Sequence, residues 1–278
     1  MYQNKSTKII AFIFLLIMAV IWIFPILWGL FTSFKSEDEI TAAGVSLLPV
    51  HWSVSNYSQL LFNNDSTPIV KWFTNSMIIS VSHTLLTLVV VSLAAYGYTR
   101  MEFKGRNWLF GFLLASMMFP SVVNLIPLYG IMDSLGWVNN FLAVIVPGAA
   151  GVFNIFLVRQ FVLGIPKTFD ESARIDGANE FQIFYLIILP LIKPVLTVVA
   201  LFSFTASWND FLWPSIVLND VNMMPITPGL QLLQGQYMTY PGIGTAGALI
   251  ALVPTFLLYI FAQKYFMQSM SLSSGVKG

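Results

Sequence analysis

A chain of 278 residues that is 57% hydrophobic and only 9% charged, against about 25% charged in an ordinary soluble domain, has too little polar surface to coat a soluble globule, so lipid must cover much of it. The net charge of +1 comes from scattered basic residues that do not interleave with aromatics in a groove-like patch, which excludes nucleic acid as a partner. Cysteine is absent, and with it disulfides, thiol catalysis, cysteine-ligated zinc and iron–sulfur clusters.

A helix needs about 20 apolar residues to cross some 30 Å of hydrocarbon. The pattern predicts six such spans, at about 9–31, 72–96, 108–128, 141–162, 186–207 and 243–264. The first follows Lys5 and Lys8 as a signal peptide would, but its apolar run from Ile9 to Leu30 is longer than a cleavable core and has no small-x-small exit, so it is expected to be retained. Each run is expected to be one helix, because a backbone in lipid must satisfy its own hydrogen bonds. The fold class is all-α: a single polytopic transmembrane domain over residues 1–278.

Lysine and arginine stay on the cytoplasmic side of short loops. With the N-terminus inside, eleven of the thirteen basic residues fall on the inner side, and only Lys35 and Lys71 lie outside. Both termini are therefore expected in the cytoplasm. The outer segments, about 32–71 and 215–242, read as hydrated loops or a rim that meets an external partner.

Polar residues at membrane depth usually face a bundle interior or a cavity. Near the outer end of the fifth span, "SWNDFLWPS" sets Trp208, Asn209 and Asp210 together, with rings that could stack on a sugar and groups that could bond its hydroxyls. Asn75 and Asn124 are further candidates for a substrate path, although helix-to-helix hydrogen bonding is the commoner use of such residues. His83 has one histidine companion, His51, and no carboxylate pattern beside it, so neither a metal site nor a catalytic centre is supported. Pro120, Pro127, Pro147 and Pro254 are expected to kink their helices.

One charged stretch interrupts the apolar chain: "FDESARIDGANEFQIFYLIILP", Phe169 to Pro190, within a cytoplasmic loop of about 163–190. Thr168 and Glu171 have the spacing of a capping box, Gly177 can take the left-handed conformation that ends a helix, and Asn179 with Gln182 offers a second start. Two short helices at an angle are predicted. Phe169, Ala173 and Asp176 share one edge of the first, a surface suited to a cleft in another protein, while Glu171 and Arg174 can pair in water for about 0.2–0.5 kcal/mol.

"ESARIDGA" followed by "ILPLIKP" resembles the EAA loop of binding-protein-dependent ATP-binding-cassette importers. "FTNSMIISVSHTLLTLVVVSLAAYGYTR", "LIPLYGIMDSLGWVNN", "LVRQFVLGIPKTFDESARIDGA" and "SWNDFLWPSIVL" are similar to the carbohydrate-uptake branch, in particular the smaller permease of maltose-type systems. The resemblance implies a type I importer permease whose loop docks into an ATPase subunit. Glu171, Ser172, Ala173 and Gly177 would form the core of that coupling motif, with Asp176 beside the glycine and Pro190 closing it. Ser172 replaces an alanine of the family pattern and is small enough for the same contact. The implied partners are a second homologous permease, two ATPase subunits carrying ATP and Mg, and an external sugar-binding protein, in the cell membrane of a prokaryote. The chain itself has no Gly-x-x-x-x-Gly-Lys-Ser/Thr phosphate loop and is not expected to be an enzyme. A proton-coupled secondary transporter stays open as the alternative, with Asp210 as its one good relay carboxylate, and the cargo is left as oligosaccharide, glycerol phosphate or polyol.

Overall fold

Helix α1 (Lys5–Ser33) opens the chain with apolar side chains exposed on every face, from Ile9 at 54% to Trp22 at 76%, as a helix sheathed by lipid must have. The structure is a computed structural model that describes residues 5–42, 46–62, 67–236 and 240–274, all of whose regular elements are helical. Short helices α2 (Glu37–Thr41) and α3 (Ser55–Phe62) lead to the long α4 (Ile69–Arg100). Then come α5 (Arg106–Ser116), a 3-10 turn (Ser121–Asn124), α6 (Leu125–Ser134), α7 (Leu142–Ile145) and α8 (Val152–Leu163). Next are α9 (Thr168–Ile175), α10 (Glu180–Gln182), a π-helix (Ile183–Ile188), α11 (Leu189–Leu191) and α12 (Lys193–Asn209). Helices α13 (Leu212–Val217), α14 (Ile226–Gln236) and α15 (Pro241–Ser274) complete the series.

Among the described residues, three helical stretches are long and apolar enough to cross a membrane unaided: Thr7–Ser33, Ile69–Arg100 and Pro241–Phe261. The expectation that each of the other three runs is also one helix is corrected. The run 108–128 stops at Ser116 and resumes past Pro120 with a bend of 97° between Arg106–Ser116 and Ser121–Ser134, because proline has no N–H to donate and pushes the residue before it out of the helical region. The run 141–162 breaks after Ile145 at Pro147 and Gly148. Helix α8 alone rises about 18 Å and then turns by 73° into α9. The run 186–207 is divided at Ile192, which leaves helical geometry (φ −90°, ψ 3°), and its halves meet at 77°. Counting each bent pair as one crossing gives up to six spans.

The chain divides into two compact units, residues Met1–Val70 with Gly229–Val253, and Lys71–Pro228 with Pro254–Gly278. In the first, Asn56 donates to the Ser33 carbonyl (3.0 Å) and the Lys35 carbonyl (2.9 Å), and the Gly242 N–H donates to Glu37 Oε1 at 3.1 Å. A Cβ on Gly242 would stand 2.6 Å from Asn56 Nδ2 and 2.9 Å from Glu37 Oε1, so only glycine fits against this pair. The Lys35 ammonium donates to the Ser46 carbonyl and lies over the Trp28 ring.

In the second unit one core gathers Val91, Ala95 and Tyr96 of α4 with Phe110, Val158, Ala173, Ile183, Ile188 and Val195. A second gathers Ile79 with Met132, Ala143, Val144, Trp213, Val217 and Leu218. The segment 215–242 is therefore not a plain hydrated loop: it carries helix, and Val217, Leu218 and Ile226 are fully buried. Likewise 32–71 holds α2 and α3, with Leu60 buried.

Candidate functional site

The charged elbow is built from two local signals. Helix α9 ends at Gly177 with φ +86°, where the Ala178 N–H reaches back to the Ala173 carbonyl (2.9 Å) and the Gly177 N–H to the Arg174 carbonyl (3.1 Å). These two bonds make a Schellman ending. The chain restarts at Asn179, whose side chain accepts from the Gln182 N–H while the Gln182 side chain accepts from the Asn179 N–H, both at 2.9 Å. The capping box expected at Thr168 and Glu171 is absent. Lys167 is already helical (φ −65°, ψ −17°), so Thr168 lies inside the helix, and the first amides bond backward to the Pro166 and Lys167 carbonyls instead.

Side chains then fasten the elbow to the end of α4. Asp170 and Arg100, 2% and 3% exposed, meet at 2.6 Å, and Arg100 Nη2 also donates to the Ile165 carbonyl at 2.8 Å. The Tyr96 hydroxyl donates to Glu180 Oε2 at 2.6 Å, and Arg174 Nε donates to Glu180 Oε1 at 2.9 Å. The partner of Arg174 is thus Glu180, where the sequence suggested Glu171. Ala173 is buried in the core of this chain, which corrects its placement on one docking edge with Phe169 and Asp176. The face left outward carries Glu171, Ser172, Asp176 and Gly177, with Ile175 at 86% exposed. Pro190 is exposed in α11, just past the π-helix. A cavity of about 420 Å³ opens beside the elbow, lined by Arg100, Glu102, Lys167, Asp170, Glu171 and Arg174 among others.

Arg174, and after it Tyr96, hold the Glu180 carboxyl below its ordinary value of 4.5. A depressed carboxyl stabilises the fold above its unfolded pKa, and that contribution is lost as pH falls through the folded one. Glu180→Gln is expected to speed hydrogen exchange in residues 174–182 at pH 7, and the gap from the parent chain to close once pH drops well below 4.5; a gap that persists in acid means the charge is irrelevant.

A second cavity, about 540 Å³, is lined by His83, Ser121, Asn124, Ser207, Asp210 and Trp213 with apolar neighbours. It brings together two of the predicted path residues, Asn124 and Asp210. The Asp210 carboxylate also accepts from the backbone N–H groups of Trp213 and Leu212 at the start of α13. The other three candidates are placed elsewhere. Asn75 donates to the Asn222 and Met224 carbonyls at 2.8 and 2.9 Å and, with Trp72 donating to the Val221 carbonyl, fixes the segment before α14 to α4. Trp208 is 1% exposed between Phe73 and Phe204. Asn209 donates to the Thr205 carbonyl of its own helix. His83, which sequence reasoning weighted lightly, does line the cavity, with Nδ1 2.8 Å from the Ile145 carbonyl. Among the described residues no group of three His, Cys, Asp or Glu is arranged to hold a metal.

Residues 88–271 match the family described as binding-protein-dependent transport system inner membrane component. The chain is 35% identical to the arabinooligosaccharides transport system permease protein AraQ of Bacillus subtilis over 278 residues, covering 99% of this chain and 98% of that one. It is 32% identical to the trehalose/maltose transport system permease protein MalG of Thermococcus litoralis, with all of both chains covered (100% and 100%). Its fold superposes with a TM-score of 0.84 at 25% identity on a chain of a bacterial ABC transporter involved in the import of the acidic polysaccharide alginate, over 96% of this chain and 99% of the other. A chain from the bacterial alginate ABC transporter in complex with an alginate pentasaccharide-bound periplasmic protein shares the fold, with a TM-score of 0.64 at 16% identity over 93% and 94%.

Proposed function

The chain belongs to the family of binding-protein-dependent transport system inner membrane components, which are transport components and not enzymes, and from that premise we propose that it conducts a neutral oligosaccharide through the cell membrane of a prokaryote as one permease subunit of an ATP-driven importer. The observation that carries this reading is the end-to-end likeness to permeases named for arabinooligosaccharides and trehalose/maltose. The cavity beside Asp210 supports it: Asn124, Ser121, Ser207 and the carboxylate offer bonds to sugar hydroxyls, and among the described residues no lysine or arginine lines it to draw an acidic sugar.

In this reading a second, homologous permease completes the path and an external sugar-binding protein delivers cargo. Two ATPase subunits hold ATP and Mg and receive the outward face of α9 through Glu171, Ser172, Asp176 and Gly177. Asp170 and Ala173 act from behind that face, rooting it in the chain. Helix α4 supplies the link, since one unbroken helix lines the cavity at His83 and grips the elbow at Tyr96 and Arg100, about 20 and 26 Å further along. Closure of the ATPase dimer would thereby move the cavity wall.

Co-purification from detergent-solubilised membranes tests this. Glu171 is exposed and pairs with nothing nearer than solvent among the described residues, so Glu171→Lys is expected to leave the melting temperature unchanged while lowering recovery of the ATPase subunit about fivefold or more, as like-charge contacts do at an interface. If the unmodified chain never brings down an ATPase in conditions that preserve complexes, the importer reading fails and a proton-coupled carrier takes its place.

A further inference from the structure

The four arginines of this chain divide into two kinds. Arg100 and Arg174 are each paired with a carboxylate, Asp170 and Glu180. Arg106 and Arg159 are in no ion pair among the described residues. Arg106 donates one bond, to the Met101 carbonyl at 2.9 Å. Arg159, in the last turns of α8, is half-buried with its Cζ 4.0 Å over the Phe110 ring, and its buried Nε has no hydrogen-bond partner. The charged side chain that acts on it is another cation, Arg106, which stands one turn before Phe110 on α5. A guanidinium withdrawn from water without an anion is costly to leave unpaired, and a second cation acting on it makes a negative group there more favourable still.

We infer that the ends of α5 and α8 form a site for the headgroup phosphate of an anionic lipid, held by Arg106 and Arg159. The surroundings favour a lipid over a protein carboxylate. Trp108 and Phe112, 72% and 66% exposed, stack on each other at 5.9 Å and 9° just past Arg106, and exposed tryptophan marks the boundary between headgroups and hydrocarbon. Acyl chains would lie along Phe112 and Leu109, also exposed. Beside them a cavity of about 290 Å³ is lined by Arg106, Asn107, Trp108, Gly105, Phe103 and Glu102. Its one carboxylate, Glu102, is not within ion-pair distance of Arg106. A phosphate offers several acceptor oxygens, so it can serve two guanidinium forks at once. The positive-inside pattern puts these residues at the cytoplasmic leaflet, where anionic lipid gathers at basic pockets between helices.

The test is native mass spectrometry of the intact complex, purified in mild detergent and offered phosphatidylglycerol, phosphatidylcholine or inorganic phosphate. Phosphatidylglycerol is expected to be retained well above phosphatidylcholine, with occupancy falling about fivefold for Arg159→Gln or Arg106→Gln and further for the double variant. Arg159→Lys, which keeps the charge but not the fork, should hold an intermediate amount and guards against a variant that merely misfolds. Equal retention of phosphatidylglycerol by the double variant overturns the site. So does displacement of the lipid by inorganic phosphate at millimolar concentration, which would assign the pocket to a free anion. Loss of a partner subunit from the double variant with lipid unchanged would instead give the arginines to a protein carboxylate. None of these outcomes depends on sugar transport, so the site can fail while the importer reading stands.

Discussion

Asp170→Ala is expected to destabilise the protein by about 3–5 kcal/mol, the usual cost of removing one member of a buried ion pair. The loss comes from what remains: the Arg100 guanidinium, 3% exposed, would keep only its bond to the Ile165 carbonyl. Because Asp170 lies in α9 and Arg100 ends α4, the damage is directed at the join between elbow and span. Melting of the solubilised complex should therefore fall, and substrate-stimulated ATP hydrolysis should fall with it. Arg100→Met combined with Asp170→Leu should recover most of the melting temperature, since apolar residues of similar volume replace buried ion pairs at little net cost. If Asp170→Ala melts within about 0.5 kcal/mol of the parent, the range of an unremarkable surface change, the pair is no clamp.

Gly177→Val should disconnect the ATPase while sparing the spans. A Cβ at this position would meet nothing within 4 Å, so the penalty is wholly in the backbone. Holding an L-residue near φ +86° costs about 1–2 kcal/mol, and a β-branched side chain makes it worse. The chain escapes by abandoning the Schellman ending, which turns the Asn179 restart away from its direction and releases the outward face of α9. ATPase recovery is expected to drop sharply with the helical signal unchanged, and Gly177→Asn, which tolerates the left-handed region, should restore much of it. A valine variant that binds the ATPase as well as the parent would show that the elbow's shape is not needed.

What the sequence revealed about this elbow was its local chemistry. Gly177 and the Asn179–Gln182 pair act on their own neighbours, so spacing alone was enough to place them. The Arg100–Asp170 clamp joins two elements distant in the chain, and nothing in either segment names the other. Ala173 was misplaced for a related reason, since a small residue permits close approach on either side of a helix, and here the core takes it. Glu171 remained outward while Arg174 turned to Glu180, a choice set by the restart at Asn179.

The spans show a different limit. Hydropathy measures how apolar a stretch is and says nothing of its continuity, so the runs at 108–128, 141–162 and 186–207 were visible; prolines marked kinks at Pro120 and Pro147, where the helices in fact break outright, and nothing marked the break at Ile192. Of the residues singled out for a substrate path, the sequence did not show which line a cavity. Asn75 and Asn124 are the same residue type in apolar stretches, yet one serves backbone carbonyls of its own chain and the other lines a cavity. Only the three-dimensional neighbours separate a staple from a cavity-lining residue.

The bond from Gly242 to Glu37 joins residues 205 apart in the chain, and that distance sets a schedule for biosynthesis. At about 5–20 residues per second, the segment after α1 waits roughly 10–40 s for its anchor to be translated. During that interval the bonds from Asn56 to the Ser33 and Lys35 carbonyls tie the segment to the end of α1, while the Glu37 carboxylate waits for a glycine that does not yet exist. Helix α2 is therefore locked late, and a ribosome that stalls before residue 242 leaves Glu37 without the glycine it holds.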